Sequence, residues 1–271
     1  MKKQVSKDIQ RKIVYNYTIL NKGLAASGKE FNIGAAAVKT ILKDNGVSIR
    51  TQREAAIVSN KNRAKSINHD YFKTQSHNMA YILGILASDG TVRKNINEIK
   101  LTFNENDTEL LEKIKNELQF EGNIRHYEDS KGFKNATIAF TSQTIKQDLA
   151  KYNIVPQKTF TFSFPTRLEQ KYWVDFIRGY FDGDGSVSTA GKSLRWQVCS
   201  ATTDVLEHIV IFFELVYKIP PVKIQKQDRK KHPLYSIQYS TNATKKIFQI
   251  LYTPNSLFLR RKYTKFINIM K

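Results

Sequence analysis

Two stretches of this sequence, Tyr81-Ile-Leu-Gly-Ile-Leu-Ala-Ser-Asp-Gly90 and Phe176-Ile-Arg-Gly-Tyr-Phe-Asp-Gly-Asp-Gly185, share one pattern and lie 95 positions apart. Each is an apolar run with a glycine at its fourth position, and each ends in Asp-Gly. The same offset pairs apolar residues further along the chain, such as Leu101 with Trp196. A single Asp-Gly pair is only a turn signal. Its recurrence with matching flanks predicts an internal repeat, in which an apolar helix precedes alternating strands in each half.

The glycine inside each apolar helix predicts that the two helices pack against each other. Gly84 and Gly179 each cost a helix about 0.5–1 kcal/mol relative to alanine, and close approach of two backbones would offset that cost. A crossing at these glycines brings together the helix C-termini, and with them Asp89 and Asp184. Two carboxylates beside two negative helix ends are unfavourable unless a cation lies between them. Because oxygen ligands favour Mg²⁺ over Zn²⁺, the pair indicates a magnesium site suited to phosphodiester hydrolysis.

Alternating residues after each motif predict sheets with one apolar and one polar face. Residues 99–104, 194–199 and 222–227 alternate in this way. The polar positions are rich in side chains that neutralise phosphates or read base edges, whereas an ordinary solvated face carries comparable numbers of acids and bases. The positions expected to contact DNA from these sheets and their neighbouring strands are Lys100, Thr102, Arg125, Arg195, Gln197, Lys223, Gln225, Gln227 and Gln238.

The composition favours a soluble protein with a polyanionic partner. The 271 residues include 44 Lys and Arg against 24 Asp and Glu, for a net charge of +20 and a pI near 9.8. With 41% hydrophobic residues the chain can fill a core, but no apolar run is long enough to cross a bilayer. The N-terminus lacks the apolar segment of a secretory signal, and the single Cys199 excludes an internal disulfide. We therefore expect a cytoplasmic protein without membrane association.

The N-terminal quarter has a separate basic character. Residues 1–66 hold 14 Lys and Arg against 4 Asp and Glu, which is half of the net charge. Three helical patterns occur here, with Gly34 in a turn before the last, at residues 7–20, 24–31 and 35–44. This arrangement resembles a helix-turn-helix DNA-binding domain over residues 1–48. The alternative is a small helical bundle with a solvated basic face.

In the DNA-binding interpretation, the third helix enters the major groove and presents Lys39, Thr40 and Lys43. Residues 49–68 are rich in Arg, Lys, Ser and Asn, and we expect a basic linker over residues 49–76. Arg50 and Arg53 are expected to follow DNA phosphates from this linker, and a merely solvated tether is the alternative.

The paired decapeptides resemble the two motifs of LAGLIDADG homing endonucleases in their single-chain form, over about residues 77–271. The resemblance implies an α+β fold in which two pseudo-symmetric αββαββα repeats, residues 77–165 and 166–271, form a DNA-binding saddle beside the small all-α helix-turn-helix domain. It implies site-specific cleavage of both DNA strands with Mg²⁺, for which Mn²⁺ would substitute, leaving 3′ overhangs. The implied partner is double-stranded DNA with a long, near-unique target site, as in intron homing.

The resemblance also assigns the metal ligands. It implies that Asp89 and Asp184, the last acidic residues of the motifs, bind the metal together with the backbone carbonyls of Ser88 and Gly183. Asp182 stands where the first motif has alanine. That position is not a ligand in the family, so we expect Asp182 to cap or pair locally.

Further roles follow from the same resemblance. It places a basic residue near each scissile phosphate, implying Lys158 for the first half and Lys262 for the second, with Arg260 and Arg261 as competitors of Lys262. Asn104 fits a position that organises active-site water. Its counterpart at the 95-residue offset is Cys199, which does not fit. This difference predicts unequal nicking of the two strands.

Two other functions are compatible with such a fold. One is a DNA-binding transcriptional regulator that does not cleave, and the other is a maturase that binds its own intron RNA. The presence of both motif acids and both lysines favours the nuclease. Two halves in one chain predict a monomer, bacterial or phage-encoded and associated with the nucleoid, whose DNA affinity falls steeply with salt.

Overall fold

The first of two units in this chain contains helices and no strand in its described residues. A computed structural model describes residues 5–63, 66–190, 193–229 and 232–270, which divide into units spanning residues 1–64 and 65–271. The helices of the first unit are α1 (Lys7–Thr18), α2 (Leu24–Gly28), α3 (Ala35–Asp44) and α4 (Gln52–Arg63). Its core consists of Ile13, Tyr17, Val38, Ile41 and Leu42. The apolar positions that predicted α1 and α3 therefore face one another.

The segment predicted to be a basic linker, residues 49–76, contains a capped helix, α4. Glu54 accepts a hydrogen bond from the Thr51 N–H at 2.7 Å, and Thr51 Oγ1 accepts one from the Glu54 N–H at 3.2 Å. This reciprocal pair is a capping box, which stabilises a helix N-terminus. The composition of the segment concealed this signal, so the helix that follows it was missed.

The second unit contains the same order of elements twice. The elements of its first half are α5 (His77–Ser88), β1 (Thr91–Val92), β2 (Glu98–Asn104), α6 (Thr108–Glu117), β3 (Arg125–Glu128), β4 (Lys134–Thr141) and α7 (Gln143–Ala150). Those of its second half are α8 (Trp173–Asp184), β5 (Gly185–Ala190), β6 (Ser193–Ser200), α9 (Asp204–Tyr217), β7 (Gln225–Gln227), β8 (Leu234–Tyr239) and α10 (Thr241–Leu251). A further helix, α11 (Arg260–Met270), follows the second half.

Each half builds one four-stranded antiparallel sheet, and the two sheets have equivalent strand orders. The orders are β1-β2-β4-β3 and β5-β6-β8-β7. The predicted mixed α+β class is therefore confirmed. The repeated order of helices and strands also agrees with the internal repeat that the two decapeptides indicated.

Alternation along the central strands divides each sheet into two faces, as predicted. Ile99 and Leu101 of β2 are fully buried, and so are Trp196 and Val198 of β6. Their neighbours in sequence point to the opposite face. Both apolar faces belong to one core cluster that also includes the motif helices α5 and α8.

One strand is shorter than the alternation predicted. Residues 222–227 were expected to form a strand, but β7 begins only at Gln225. Two prolines at positions 220 and 221 precede the segment, and proline cannot donate a ladder hydrogen bond. Lys223 therefore lies ahead of the strand rather than in it.

Among the described residues, no helix combines the length and the apolar character that crossing a bilayer requires.

Candidate active site

The motif helices α5 and α8 cross with their backbones in contact at two glycines. A Cβ atom on Gly84 would overlap the carbonyl oxygen of Phe176 and lie 2.6 Å from the amide nitrogen of Tyr180. A Cβ atom on Gly179 would overlap the carbonyl oxygen of Tyr81. Only glycine permits this approach, since no real Cβ atom sits so close to backbone. The crossing places equivalent points of the two halves against each other.

One turn beyond the crossing, the helix C-termini meet. A Cβ atom on Gly183 would overlap the side chain of Ser88 and lie 3.0 Å from Oδ2 of Asp89. Asp89 therefore lies beside the residue that precedes Asp184. Both aspartates are exposed at the surface, although the helices that carry them are buried nearly throughout. Asp184 immediately precedes β5, and Asp89 lies two residues before β1, so both sheets begin next to the carboxylates.

The two carboxylates influence each other electrostatically. Partial burial raises the pKa of Asp184 to about 6, and the negative charge of Asp89 adds to that rise. Burial likewise raises the pKa of Asp89, against the opposing positive charges of Lys262, Lys158 and Arg261. Both groups are open to solvent on one side, yet the surrounding protein removes enough water to disfavour their charged forms. The site therefore combines two carboxyl groups whose charged forms are disfavoured with positively charged side chains nearby.

Lys158 lies close to both aspartates but binds the main chain. It begins a 3₁₀ turn after Gln157, whose left-handed backbone (φ 60°) turns the chain. Its Nζ donates a hydrogen bond of 2.6 Å to the carbonyl oxygen of Gly90, directly after Asp89. Burial lowers the pKa of Lys158, and the charges of Asp184 and Asp89 oppose that change. With three N–H donors and one acceptor, the ammonium group retains capacity for a further ligand.

The ammonium group of Lys262 makes more hydrogen bonds than that of Lys158. Its Nζ donates to the carbonyl oxygens of Phe181 and Asp182, both at 2.7 Å, and of Gly185 at 2.6 Å, with Gly183 at 3.3 Å. These are the last carbonyls of α8 and the first of β5. Burial lowers the pKa of Lys262 to about 8. The lysine predicted to contact a scissile phosphate thus caps a helix C-terminus and has no donor left over.

Asp182 has a larger role than the sequence indicated. Its carboxylate is fully buried and accepts hydrogen bonds from the hydroxyl groups of Tyr81 (2.8 Å) and Tyr252 (3.0 Å) and from the N–H of Leu259 (2.8 Å). Burial raises the pKa of Asp182 to about 6. The only sequence signal was its replacement by Ala87 in the first motif. The donors come from distant segments, so sequence spacing could not identify them.

A buried arginine on α8 was missed altogether. Arg178 donates to the carbonyl oxygens of Leu257 (2.7 Å) and Leu251 (2.8 Å) and to Asp175 Oδ1 (2.7 Å), and its side chain is 1% exposed. Asp175 also pairs with His77 at 2.7 Å. The first motif has leucine at the equivalent position. A charged residue within an apolar helix was therefore the available sequence signal. The hydrogen bonds of Arg178 hold the segment before α11 against α8.

The two predicted competitors of Lys262, and Asn104, which was expected to organise water, make other contacts. Arg261 Nε binds Asp107 at 2.9 Å, and Arg260 binds Glu109 at 3.2 Å. Asn104 Oδ1 accepts from the Asn106 N–H at 3.0 Å, which fixes the local turn. Burial raises the pKa of the Cys199 thiol, and the negative charge of Asp184 adds to that rise. The two halves therefore differ at this position, as their sequences do.

The predicted DNA-contacting residues of the first sheet share its polar face. Thr102 of β2 and Arg125 of β3 both lie opposite Thr137 of β4, and antiparallel partners point to the same side. Lys100 and Asn104 lie two positions from Thr102 along β2 and have the same orientation.

In the second sheet, Gln197 pairs with Gln238, and Cys199 and Gln225 both lie opposite Ser236. Arg195 and Gln227 occupy the same face by alternation. No strand of this sheet contains aspartate or glutamate. Its polar face is therefore uncharged or basic, which suits contact with a polyanion.

In the first unit, the predicted residues divide into two groups. Lys39, Thr40 and Lys43 are exposed on α3, and Arg53 is exposed on α4. Arg50 instead turns inward: its guanidinium donates to the carbonyl oxygens of Lys22 (3.0 Å) and Tyr17 and stacks over the Tyr17 ring at 4.1 Å. Arg50 therefore fixes the first unit internally, in contrast to the predicted phosphate contact.

The donor atoms at the helix crossing fit a hard divalent cation. Among the described residues, no cluster of three or more His, Cys, Asp or Glu side chains could hold a metal. A cation here would therefore use the carboxylates of Asp89 and Asp184 with main-chain oxygens, and such an all-oxygen set suits Mg²⁺. The raised pKa values of both carboxyls agree with a site that positive charge would stabilise. The carbonyl of Gly183, one predicted ligand, already contacts Lys262.

No family model matches this chain. It is 26% identical over 153 residues to the uncharacterized protein MJ0314 of Methanocaldococcus jannaschii, covering 55% of this chain. The chain spans about half the length of that relative, 54%.

Solved structures with a similar backbone arrangement include three LAGLIDADG proteins. The I-LtrWI LAGLIDADG homing endonuclease bound to target DNA has a TM-score of 0.47 and 13% identity, over 75% of this chain and 89% of that one. I-DmoI in complex with DNA and Ca has a TM-score of 0.46 and 14% identity, over 74% and 99%. The N-terminal LAGLIDADG domain of DUF199/WhiA has a TM-score of 0.44 and 12% identity, over 69% and 91%. Likenesses at this level assign neither a family nor an activity.

Proposed function

We propose that this chain is a metal-dependent endonuclease that cuts both strands of duplex DNA at a specific site. The observation that supports this function best is the convergence of Asp89 and Asp184 at the crossed ends of α5 and α8. Exposed, mutually repelling carboxylates at the point where two polar sheets begin have no evident structural purpose. They are suited to holding Mg²⁺, or Mn²⁺ in its place, against a phosphodiester.

Each group in the proposed site has a distinct task. Asp89 and Asp184 would hold the cation, with the main-chain carbonyl of Ser88 available beside them. Bound Mg²⁺ would neutralise charge on the phosphodiester and favour attack by water. Lys158 keeps two uncommitted N–H donors within electrostatic range of both aspartates, so it would bind and orient the phosphate. Lys262 would preserve the geometry of the α8 end rather than contact DNA.

The extended surfaces would supply site selection. The polar face of each sheet presents Lys, Arg, Gln and Thr side chains of the kind that contact base edges and phosphates. The exposed Lys39 and Lys43 of α3 would give the first unit a second contact of helix-turn-helix type. Joining two binding modules in one chain raises affinity and lengthens the recognised site. A long site cut by a monomer to leave 3′ overhangs is the expected homing-type activity.

A DNA-binding regulator without nuclease activity is the second candidate function. One observation favours it: both lysines that the resemblance assigned to catalysis bind main-chain carbonyls. In such a protein the same hydrogen bonds would serve stability alone. The two candidates differ in a single outcome, the appearance of new DNA ends.

Mapping of DNA ends tests the proposal directly. Purified protein is incubated with mixed genomic DNA and Mg²⁺ or Mn²⁺, and new ends are located by sequencing. We expect recurrent ends with short 3′ overhangs that disappear with chelator and in the Asp184→Asn variant. Asp70→Asn removes a carboxylate that is 67% exposed and pairs with Lys73, and it should cleave like the wild type. Selective DNA capture without any ends would contradict the nuclease and support the regulator.

A further inference from the structure

Asp182 and Lys262 belong to one closed ring of hydrogen bonds at the end of α8. The Asp182 carboxylate accepts from the Leu259 N–H at 2.8 Å, one residue before α11 begins. The Leu259 carbonyl accepts from the Lys262 N–H at 3.1 Å. The Lys262 Nζ returns to the carbonyl of Asp182 at 2.7 Å. Asp182 therefore anchors the first turn of the helix that carries Lys262, and Lys262 in turn anchors the backbone of Asp182.

The hydroxyl groups of two tyrosines extend this ring to other segments. Tyr81 reaches Asp182 from α5, across the helix crossing, and Tyr252 reaches it from the end of α10. The carboxylate is thus tied to the opposite motif helix and to the C-terminal segment at once. A fully buried carboxylate with three donors has little freedom to move.

The described part of the chain shows no equivalent ring in the first half. Its motif has Ala87 at the position of Asp182, and Ala87 is buried without a polar side chain. Lys158 occupies the corresponding place by its contact with Gly90, and its ammonium group makes one hydrogen bond among the described residues. Carbonyl groups at the end of α8 therefore use every N–H donor of Lys262, whereas the described residues use only one N–H donor of Lys158.

We propose that Asp182 is a positioning residue that fixes Lys262 on the end of α8, and that its absence from the first half makes the two strand cuts unequal. The strand inequality rests on the nuclease function proposed above. The positioning of Lys262 does not depend on that function. The half with the fully bonded Lys262 would hold its carboxylate in position for one strand, and the half in which Lys158 makes a single side-chain hydrogen bond would serve the other. This asymmetry is separate from the one between Asn104 and Cys199.

The test compares strand-resolved cleavage with the chemical reactivity of the lysines. A duplex carrying the mapped site is labelled on each strand in turn, and cleavage rates are measured for wild type, Asp182→Asn, Lys262→Gln and Lys158→Gln. Asparagine keeps the size of Asp182 but replaces one acceptor oxygen with a donor group. We expect Asp182→Asn to slow by about tenfold the same strand that Lys262→Gln slows, as expected for loss of a hydrogen bond to a charged group, and to change the other strand less than twofold.

Acetylation of lysines in the full-length protein, followed by peptide mass spectrometry, provides a readout that needs no cleavage. Lys262 should resist acetylation in the wild type and become several-fold more reactive in Asp182→Asn, with Lys158 unchanged. If Asp182→Asn does not fold, Tyr252→Phe removes one donor hydroxyl and should shift both readouts in the same direction. Equal slowing of both strands, or unchanged Lys262 reactivity, would overturn the proposal. A wild type that cuts no DNA would reject the nuclease function, and the acetylation result would still decide the role of Asp182.

Discussion

Gly84 and Gly179 face each other across the α5–α8 crossing, and neither could carry a methyl group without entering the backbone of the opposite helix. The contact joins the two halves of the second unit at equivalent points. It also determines how closely Asp89 and Asp184 approach, because each aspartate lies five residues beyond its glycine. The chemistry proposed for the site therefore depends on two residues that have no side chain.

Replacing either glycine with alanine should destabilise the second unit strongly. Alanine gains about 0.5–1 kcal/mol in helix propensity, but the overlap with backbone atoms should cost about 3 kcal/mol or more. Urea unfolding followed by tryptophan fluorescence measures this, because both tryptophans, Trp173 and Trp196, lie in the second unit.

Gly23→Ala is the matched control for these variants. A Cβ atom there meets nothing within 4 Å, so the change should cost less than about 1 kcal/mol by circular dichroism. A Gly84→Ala variant as stable as the wild type would contradict the close crossing of the helices.

Arg178→Met should cost about 3–5 kcal/mol of unfolding free energy. The substitution keeps an unbranched chain but leaves Asp175 and two carbonyl oxygens without their buried donor. Arg195→Met, at an exposed position on the polar sheet face, should change stability by less than about 0.5 kcal/mol while weakening DNA binding. Denaturation and DNA titration of the two variants should therefore give opposite rankings.

Much of the fold could be predicted because its determinants are local or repeated. Alternation in β2 and β6 predicted which face of each sheet is buried, and the repeated motif predicted equivalent halves. The failures have local causes. The Thr51–Glu54 capping box was overlooked within a basic segment, and two prolines delay the start of β7. Such competing signals are not visible in overall composition.

The candidate site could be predicted only in part, because several of its contacts join distant segments. The meeting of Asp89 and Asp184 followed from the two glycines. The ring around Asp182 did not, since Tyr81, Tyr252 and Leu259 approach it from three separate elements. For the same reason, sequence could identify Lys262 as important but could not show that its ammonium group caps α8.

The pH dependence of stability should reveal the charge on Asp184. Its pKa rises from 3.8 to about 6 on folding, so the folded protein holds this proton more tightly than the unfolded chain does. The contribution of Asp184 to stability is therefore greatest below pH 4 and declines as the pH rises through 6. Asp89, Lys158 and Lys262 act on the same group, and Asp182 titrates with the same sign.

Comparison with Asp184→Asn gives the contribution of Asp184 together with its electrostatic coupling to Lys158 and Cys199. In EDTA, the wild type should lose more unfolding free energy than the variant between pH 5 and pH 8. Mg²⁺ binds the charged carboxylates, so it should stabilise the wild type at pH 8 and leave the variant nearly unchanged. Equal pH profiles in EDTA would contradict the raised pKa, and a wild type indifferent to Mg²⁺ would contradict the metal site.

The first unit should contribute to DNA binding through α3. In the double variant Lys39→Gln and Lys43→Gln, two exposed positive charges are removed from the face that would enter the major groove. If both lysines contact phosphates, the slope of log affinity against log salt should become shallower by about 2. Lys12→Gln is the control, because Lys12 on α1 pairs with Asp8 at 3.1 Å and should leave the slope unchanged. Fluorescence anisotropy with a labelled duplex at several salt concentrations measures these slopes. An unaltered slope in the double variant would show that α3 does not bind DNA, and its basic face would then be an ordinary solvated surface.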